Sequence, residues 1–300
     1  MTQVQIAALR PTIASNMTFR ILIASLCLLW GFAAQAAGKK ASSPEVRSAI
    51  VLVADGENGE VLFQKDAART VPIASITKLM TALVVLDGQQ PLDEVITLTA
   101  ADRWKGKGAH SRLPIGAKIS RRDLLKLALM ASENRAAHVL GRTYPGGTVA
   151  FVKTMNLKAK ALGLGKTRFA DASGLSNYNV SNARDLAKLV SAASRDSRIR
   201  DFSTLPSLEV RVGKNSTLVY RNTNLLIGKP DWDIKVQKTG YTNDAGQCLV
   251  MESVIDERPV VMVFLNSFGS LTRTADARRI RKWLEARESP RLAGAAEQSK

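Results

Sequence analysis

Ser75 and Lys78 stand three residues apart in the stretch Pro72-Ile73-Ala74-Ser75-Ile76-Thr77-Lys78-Leu79-Met80, which places a hydroxyl and an amine one helical turn apart. A serine hydroxyl attacks well only when a neighbouring base takes its proton, and lysine is a base only when neutral. Bringing a lysine pKa from about 10.4 to near 7 takes roughly 4.6 kcal/mol of lost solvation and charge repulsion, which burial and a second nearby cation can supply. Alone, the same letters describe a helix-capping serine followed by a solvated lysine. The chain adds two further motifs: Ser132-Glu133-Asn134, its only S-x-N, and Lys238-Thr239-Gly240, its only K-T-G. Ser132 read alone is another capping serine, whereas Lys238 is a candidate for the second cation. Gly240, inside a strand pattern, marks a place where a ligand backbone could approach closely.

The elements that must carry these residues follow from periodicity. Ile76, Leu79, Met80, Leu83 and Val84 recur at the spacing of one helix face, so a helix is predicted from near Ser75 to Leu86, ended by Asp87-Gly88. Pro72 keeps Ile73 and Ala74 outside it. Leu124, Leu125, Leu127, Ala128, Leu129 and Met130 are apolar nearly all round, which predicts a buried helix, capped by Ser120, that delivers Ser132 and Asn134 at its end. Further helices are predicted over Val149–Leu162, from Ser181 through Ala193, and over Thr272–Ala286. A hairpin is predicted from Ala49–Ala54 and Glu60–Lys65 around the turn Asp55-Gly56-Glu57-Asn58-Gly59. From Ile234 the pattern alternates with period two through Ile234–Tyr241, Gln247–Ile255 and Pro259–Asn266, an antiparallel meander whose first strand holds Lys238. Leu92–Leu98 is a short apolar run, and the polar, glycine-rich Trp104–Gly116 reads as a mobile loop. There are no repeats and no low-complexity segment.

At the N-terminus, Arg20 precedes the uncharged run Ile21–Ala34 and Ala34-Gln35-Ala36 offers a cleavage site, so residues 1–36 read as a secretory signal, with Met1 or Met17 as the start. The run is short for a membrane span, and Leu26 before Cys27 does not suit a lipoprotein signal. Removing the signal takes away Arg10 and Arg20 and lowers the formal charge from +17 to +15 over the remaining 264 residues. A basic, exported chain implies an anionic envelope polymer as its partner and excludes nucleic acid. The mature chain keeps one cysteine, Cys248, which forms no internal disulfide and reads as a packed thiol. With two histidines, no H-E-x-x-H and no G-x-S-x-G, neither a metallopeptidase nor a Ser-His-Asp hydrolase is supported, and no metal or cofactor is expected. His138 reads as structural. A wall-binding protein without activity is the rival class, but all three motifs keep their reactive side chains.

In this order S-x-x-K, S-x-N and K-T-G resemble the motif set of penicillin-binding proteins and class A β-lactamases. The segments Pro72–Asp87, Ser132–Ala137, Tyr144–Gly147, Asp171–Leu175, Asn179–Leu189, Arg221–Asn224 and Lys238–Val250 resemble the low-molecular-mass D-alanyl-D-alanine peptidases, most closely their endopeptidases, over roughly residues 48–283. The resemblance implies a three-layer α+β fold, an antiparallel β-sheet built from both chain ends, flanked by helices, with a helical lobe over roughly 88–200 inserted. It divides the chain into the signal, a linker over 37–47, a catalytic domain over 48–287 and a polar tail over 288–300.

It also implies roles. Ser75 would be the acylated nucleophile, Lys78 its base, Ser132 the proton relay to the leaving amine, and Asn134 the holder of the substrate amide. Lys238 and Thr239 would bind the substrate carboxylate, Gly240 would give the backbone access, and the N–H groups of Ser75 and Tyr241 would form the oxyanion hole. Glu133 departs from the glycine or aspartate common in the wider superfamily and is expected to point away. The chain has no glutamate between Glu133 and Glu209, where a class A lactamase keeps its deacylating one, so turnover of penicillin is not expected. The partners implied are peptidoglycan cross-links and, as covalent inhibitors, β-lactams, in the periplasm and with no stable membrane anchor. An endopeptidase on D-Ala-diaminopimelate cross-links is favoured over a carboxypeptidase, whose arginine after the last strand has only Arg273 as a weak match.

Overall fold

Both chain ends supply strands to one sheet, as expected. In a computed structural model describing residues 43–104, 106 and 110–298, strands β1 (Ile50–Asp55) and β2 (Val61–Lys65) form the N-terminal hairpin. A two-residue strand β3 (Val71–Pro72) leads through a 3-10 turn, Ala74–Ile76, into helix α1 (Thr77–Asp87). Strands β4 (Val95–Thr97) and β5 (Lys118–Ser120) precede helices α2 (Arg121–Met130), α3 (Asn134–Arg142) and α4 (Gly147–Ala161). Strand β6 (Val180–Ser181), helices α5 (Ala183–Ser194) and α6 (Ser197–Thr204), and a hairpin of β7 (Ser207–Gly213) and β8 (Ser216–Arg221) follow. The meander β9 (Asp233–Thr242), β10 (Gly246–Ile255) and β11 (Arg258–Ser267) ends in helix α7 (Thr272–Gln298).

The five long strands make one antiparallel sheet in the order β2-β1-β11-β10-β9. Alternation sends Ile50, Leu52, Val250 and Val263 into the core shared with α1 and α5, and Val51, Val53, Met262 and Phe264 onto the opposite face against Ala277 and Ile280 of α7. The sheet is therefore covered on both faces, the three-layer α+β arrangement. Strand β1 is buried along its whole length, which is why it reads as a continuous apolar run.

Three local features differ from the sequence reading. Helix α1 is buried from Thr77 through Leu86, not along one face; its polar members are satisfied inside, Thr77 Oγ1 donating to the Ala74 carbonyl (2.8 Å) and Thr81 Oγ1 to that of Ala172 (2.6 Å). Helix α5, placed at the end of the lobe, packs on β1, β10 and β11 as well as on α1. Helix α7 continues to Gln298, so most of the segment set apart as a tail from residue 288 extends the helix. Cys248 is a buried thiol on β10, its pKa pushed up to about 11 by desolvation. The expected signal over 1–36 lies outside the described residues.

Candidate active site

Ser75 does not sit in the helix but in the 3-10 turn before it. Pairing of Val71–Pro72 with Val180–Ser181 and an Ile73 N–H to Asn179 carbonyl bond (3.0 Å) bring the chain in extended. Ala74 then takes φ 47°, a left-handed conformation that a non-glycine residue holds only when its surroundings enforce it. Two glycines enforce it. A Cβ on Gly174, itself at φ +86°, would lie 1.9 Å from the Ala74 carbonyl oxygen, and one on Gly240 would lie 3.1 Å from the Ser75 nitrogen and 3.0 Å from the Ile73 oxygen. The backbone that approaches Gly240 closely is thus the protein's own: the glycine lets edge strand β9 press against the turn that carries Ser75.

Lys78 is fully buried. Its Nζ is 2.7 Å from each of three oxygens: Ser75 Oγ, Asn134 Oδ1 and the Ser173 carbonyl. Two of these partners only accept. A neutral amine has two N–H groups and one lone pair, so it satisfies Asn134 and Ser173 as donor and turns its lone pair to the Ser75 hydroxyl. Desolvation brings the Lys78 pKa down to about 7, against the opposing pull of the Asp171 and Glu133 carboxylates. Burial is the leading cause, and the second cation that was expected lies in the same site. Lys238 is itself fully buried, and its own pKa lies well below the usual lysine value, through burial first and then repulsion from Lys78 and Arg273.

A polar turn that the motifs did not single out holds this lysine. Asp171 Oδ1 accepts from Ser173 N (2.6 Å), Ser173 Oγ (2.9 Å) and Gly174 N (2.6 Å), while Oδ2 accepts from Ser176 N (2.6 Å) and Asn179 Nδ2 (2.9 Å). These bonds outweigh the cost of its burial and keep its pKa below the ordinary carboxylate value. The result is a fixed Ser173 carbonyl aimed at Lys78 and a fixed Gly174 against Ala74. On the other side, His138 Nε2 lies 3.0 Å from Ser173 Oγ, and its ring is 5.7 Å from that of Trp104. Burial lowers the His138 pKa, so its structural reading holds with an added task, bracing this turn.

The remaining predicted residues divide. Asn134 is the first residue of α3, and Glu133 caps that helix through its carboxylate, which accepts the Ala136 N–H at 2.7 Å and so points along the helix. Ser132 precedes them at φ 59° and is not hydrogen-bonded to Ser75, Lys78 or Lys238. Lys238 Nζ donates to the Thr239 carbonyl (2.7 Å), and Thr239 Oγ1 is 2.6 Å from Thr223 Oγ1, whose own N–H is tied to the Met130 carbonyl at the end of α2. Tyr241 is exposed on the edge strand. Arg273, a weak match by sequence, is drawn to this strand: one guanidinium nitrogen donates to the carbonyls of Gly240 (2.8 Å) and Cys248 (2.9 Å). The chain thus does place an arginine beside this strand, and a missing arginine is no ground against a carboxypeptidase.

Known proteins resemble this chain over most of its length. The family described as D-alanyl-D-alanine carboxypeptidase matches residues 37–269. The chain is 49% identical over 253 residues to the D-alanyl-D-alanine endopeptidase of Pseudomonas aeruginosa, covering 84% of this chain and 82% of that one. It is 45% identical over 275 residues to the D-alanyl-D-alanine endopeptidase of Escherichia coli, covering 89% of each. Among solved structures, penicillin-binding protein D2 of Listeria monocytogenes in its cefotaxime-bound form superposes with a TM-score of 0.71 at 30% identity, over 79% of this chain and 97% of that one.

Proposed function

The chain belongs to the family of D-alanyl-D-alanine carboxypeptidases, and from that membership we propose that it is a periplasmic serine D,D-endopeptidase that hydrolyses D-Ala-diaminopimelate cross-links in peptidoglycan. The observation that carries the serine chemistry is the buried Lys78 Nζ at 2.7 Å from Ser75 Oγ, with a pKa of about 7. In this reading Ser75 Oγ attacks the D-alanine carbonyl carbon as Lys78 takes its proton. The oxyanion is met by the N–H groups of Ser75 and Tyr241, placed on the two segments that Gly240 lets pack together. Collapse breaks the C–N bond, and the leaving amine receives a proton through Ser132. Water then attacks the ester carbonyl as its proton passes to the same lysine, the bond from the carbonyl carbon to Ser75 Oγ breaks, and Lys78 returns the proton to that oxygen as the acid product leaves. Asn134, with Oδ1 on Lys78, offers its Nδ2 to the substrate amide. A substrate carboxylate would favour the charged form of Lys238, which burial disfavours, and draw the Thr239 hydroxyl from Thr223.

The endopeptidase preference rests on the names of the two relatives above and on the basic charge. Chemically the two substrates are alike, since a cross-link carries a carboxylate beside its leaving nitrogen just as a terminal D-alanine does. Incubation with purified cross-linked muropeptide dimer and with monomeric pentapeptide, read by mass, separates them. Conversion of dimer to monomer is expected, and rapid loss of terminal D-alanine from the monomer with an intact dimer would reverse the choice. Among the described residues no helix is long and apolar enough to cross a membrane.

Penicillin is expected to form a long-lived ester on Ser75. The buried amine that activates the serine is the base that remains to activate water, and no glutamate lies between Glu133 and Glu209 to do so. One equivalent of label per protein, with negligible turnover of a chromogenic cephalosporin, is the expected reading; sustained hydrolysis would place the chain with the lactamases.

A further inference from the structure

A cavity of about 510 Å3 opens beside the far edge of the sheet, against α5. Its floor is apolar, built by Leu52, Ala54, Val61 and Val261, and the helix wall is kept low by Ala187 and Ala192. Its rim is cationic: Arg184 and Lys188 project from α5 one turn apart, and Arg195 follows at its C-terminal cap. Arg184 reaches only the amide oxygen of Gln64 (3.1 Å) and Lys188 only the Gly163 carbonyl (3.0 Å). Both acceptors are neutral, and Arg195 is exposed. The one acid lining the cavity, Asp55, is held by Arg258 at 2.7 Å. Three positive charges thus surround an apolar pocket of ligand size with no free carboxylate to balance them.

We propose that this cleft is a second binding site for the anionic stem peptides of the wall polymer, occupied while the Ser75 groove holds a cross-link. The proposal rests on the reading of peptidoglycan as substrate. Stem peptides carry what the cleft lacks, carboxylates for the three cations, together with short methyl and methylene side chains that fit its floor. Placement favours joint occupancy. The cleft lies over β2, β1 and β11 and the groove borders β9 at the other end of the order β2-β1-β11-β10-β9, so from β1, at the middle of the cleft, three strand spacings of about 4.8 Å put the two about 14 Å apart across the sheet. A continuous polymer spans that distance, and the second contact raises the effective concentration of substrate at Ser75. Because α5 packs on β1 and on α1, which carries Lys78, the two sites are held on one rigid frame.

The test uses the full-length mature protein and insoluble peptidoglycan in a pelleting assay. The variant Arg184→Glu/Lys188→Glu/Arg195→Glu is compared with a control of equal charge change at exposed lysines elsewhere, Lys153→Glu/Lys229→Glu/Lys282→Glu. The cleft triple is expected to lose about tenfold in affinity, with the control changing about twofold or less, as a lost linked contact differs from a loss of overall charge. Labelling of both triples by fluorescent penicillin reports an intact fold. Should the cleft triple fail to label, the milder Lys188→Ala/Arg195→Ala carries the comparison. Equal losses in the two triples would overturn the site, as would cleft-dependent depletion by vesicles of anionic lipid with none by the wall. Because pelleting reads binding, cleft-dependent binding without cleavage of dimer would count against the endopeptidase reading and leave this site standing.

Discussion

Lys78→Arg is expected to lower the rate of Ser75 acylation by about 1,000-fold, within the range a positioned general base contributes. The substitution keeps a long cationic side chain but removes the lone pair, because a guanidinium stays protonated at every pH a protein tolerates. Lys78→Met should lose as much for the opposite reason, carrying no charge and no base. The pair separates base catalysis from electrostatics: if a cation beside Ser75 were what mattered, the arginine variant would retain most of its rate and the methionine variant would not. In the native protein the active form is the neutral amine, so acylation should fall about tenfold per pH unit below the Lys78 pKa of about 7 and level off above it. Stopped-flow acylation by a reporter β-lactam between pH 5 and 9 gives both results. A native rate independent of pH across that window would remove Lys78 from the role of base.

The residues gathered at the candidate site were more legible in the sequence than the architecture that brings them together. Ser75 and Lys78 were readable because their one-turn spacing comes in company with Ser132-Glu133-Asn134 and Lys238-Thr239-Gly240, and the strand carrying Lys238 because period-two alternation survives in an antiparallel meander. The 3-10 turn at Ala74–Ile76 was not readable, since its left-handed Ala74 is imposed by Gly174 and Gly240 from distant parts of the chain. The same holds for Asp171. Its sequence context is an ordinary polar turn, and its importance appears only when Ser173 is seen to present a carbonyl to Lys78. Cross-lobe pairs such as Thr223 with Thr239 leave no local periodicity to find. A second cation near Lys78 was the natural inference for lowering its pKa, whereas the leading cause, complete burial of the amine, leaves no such mark in the sequence. Arg273 was underrated for a related reason: it lies on the helix after the meander and reaches back over the strands to the carbonyls of Gly240 and Cys248, a path that sequence order does not suggest.

Asp171→Asn should separate two effects of that turn. The carboxylate accepts five hydrogen bonds, three of them from backbone N–H groups. An amide keeps one oxygen and turns an N–H2 group toward donors, so at least two buried N–H groups lose their acceptor, at about 1–3 kcal/mol each. A fall in thermal midpoint of several degrees is expected, along with a slower maximal acylation, because the Ser173 carbonyl and Gly174 are no longer held against Lys78 and Ala74. The pH profile should move in a direction that mere loosening does not produce. Asp171 is the first of the two carboxylates that hold the Lys78 pKa up against burial. Its neutralisation disfavours the ammonium form, so the acidic limb of the acylation profile should shift to lower pH even as the plateau drops. Loosening alone would admit water to the amine, relieve its desolvation and move the limb to higher pH. An upward shift, or none, in a variant that still folds would show that Asp171 acts on Lys78 through position alone.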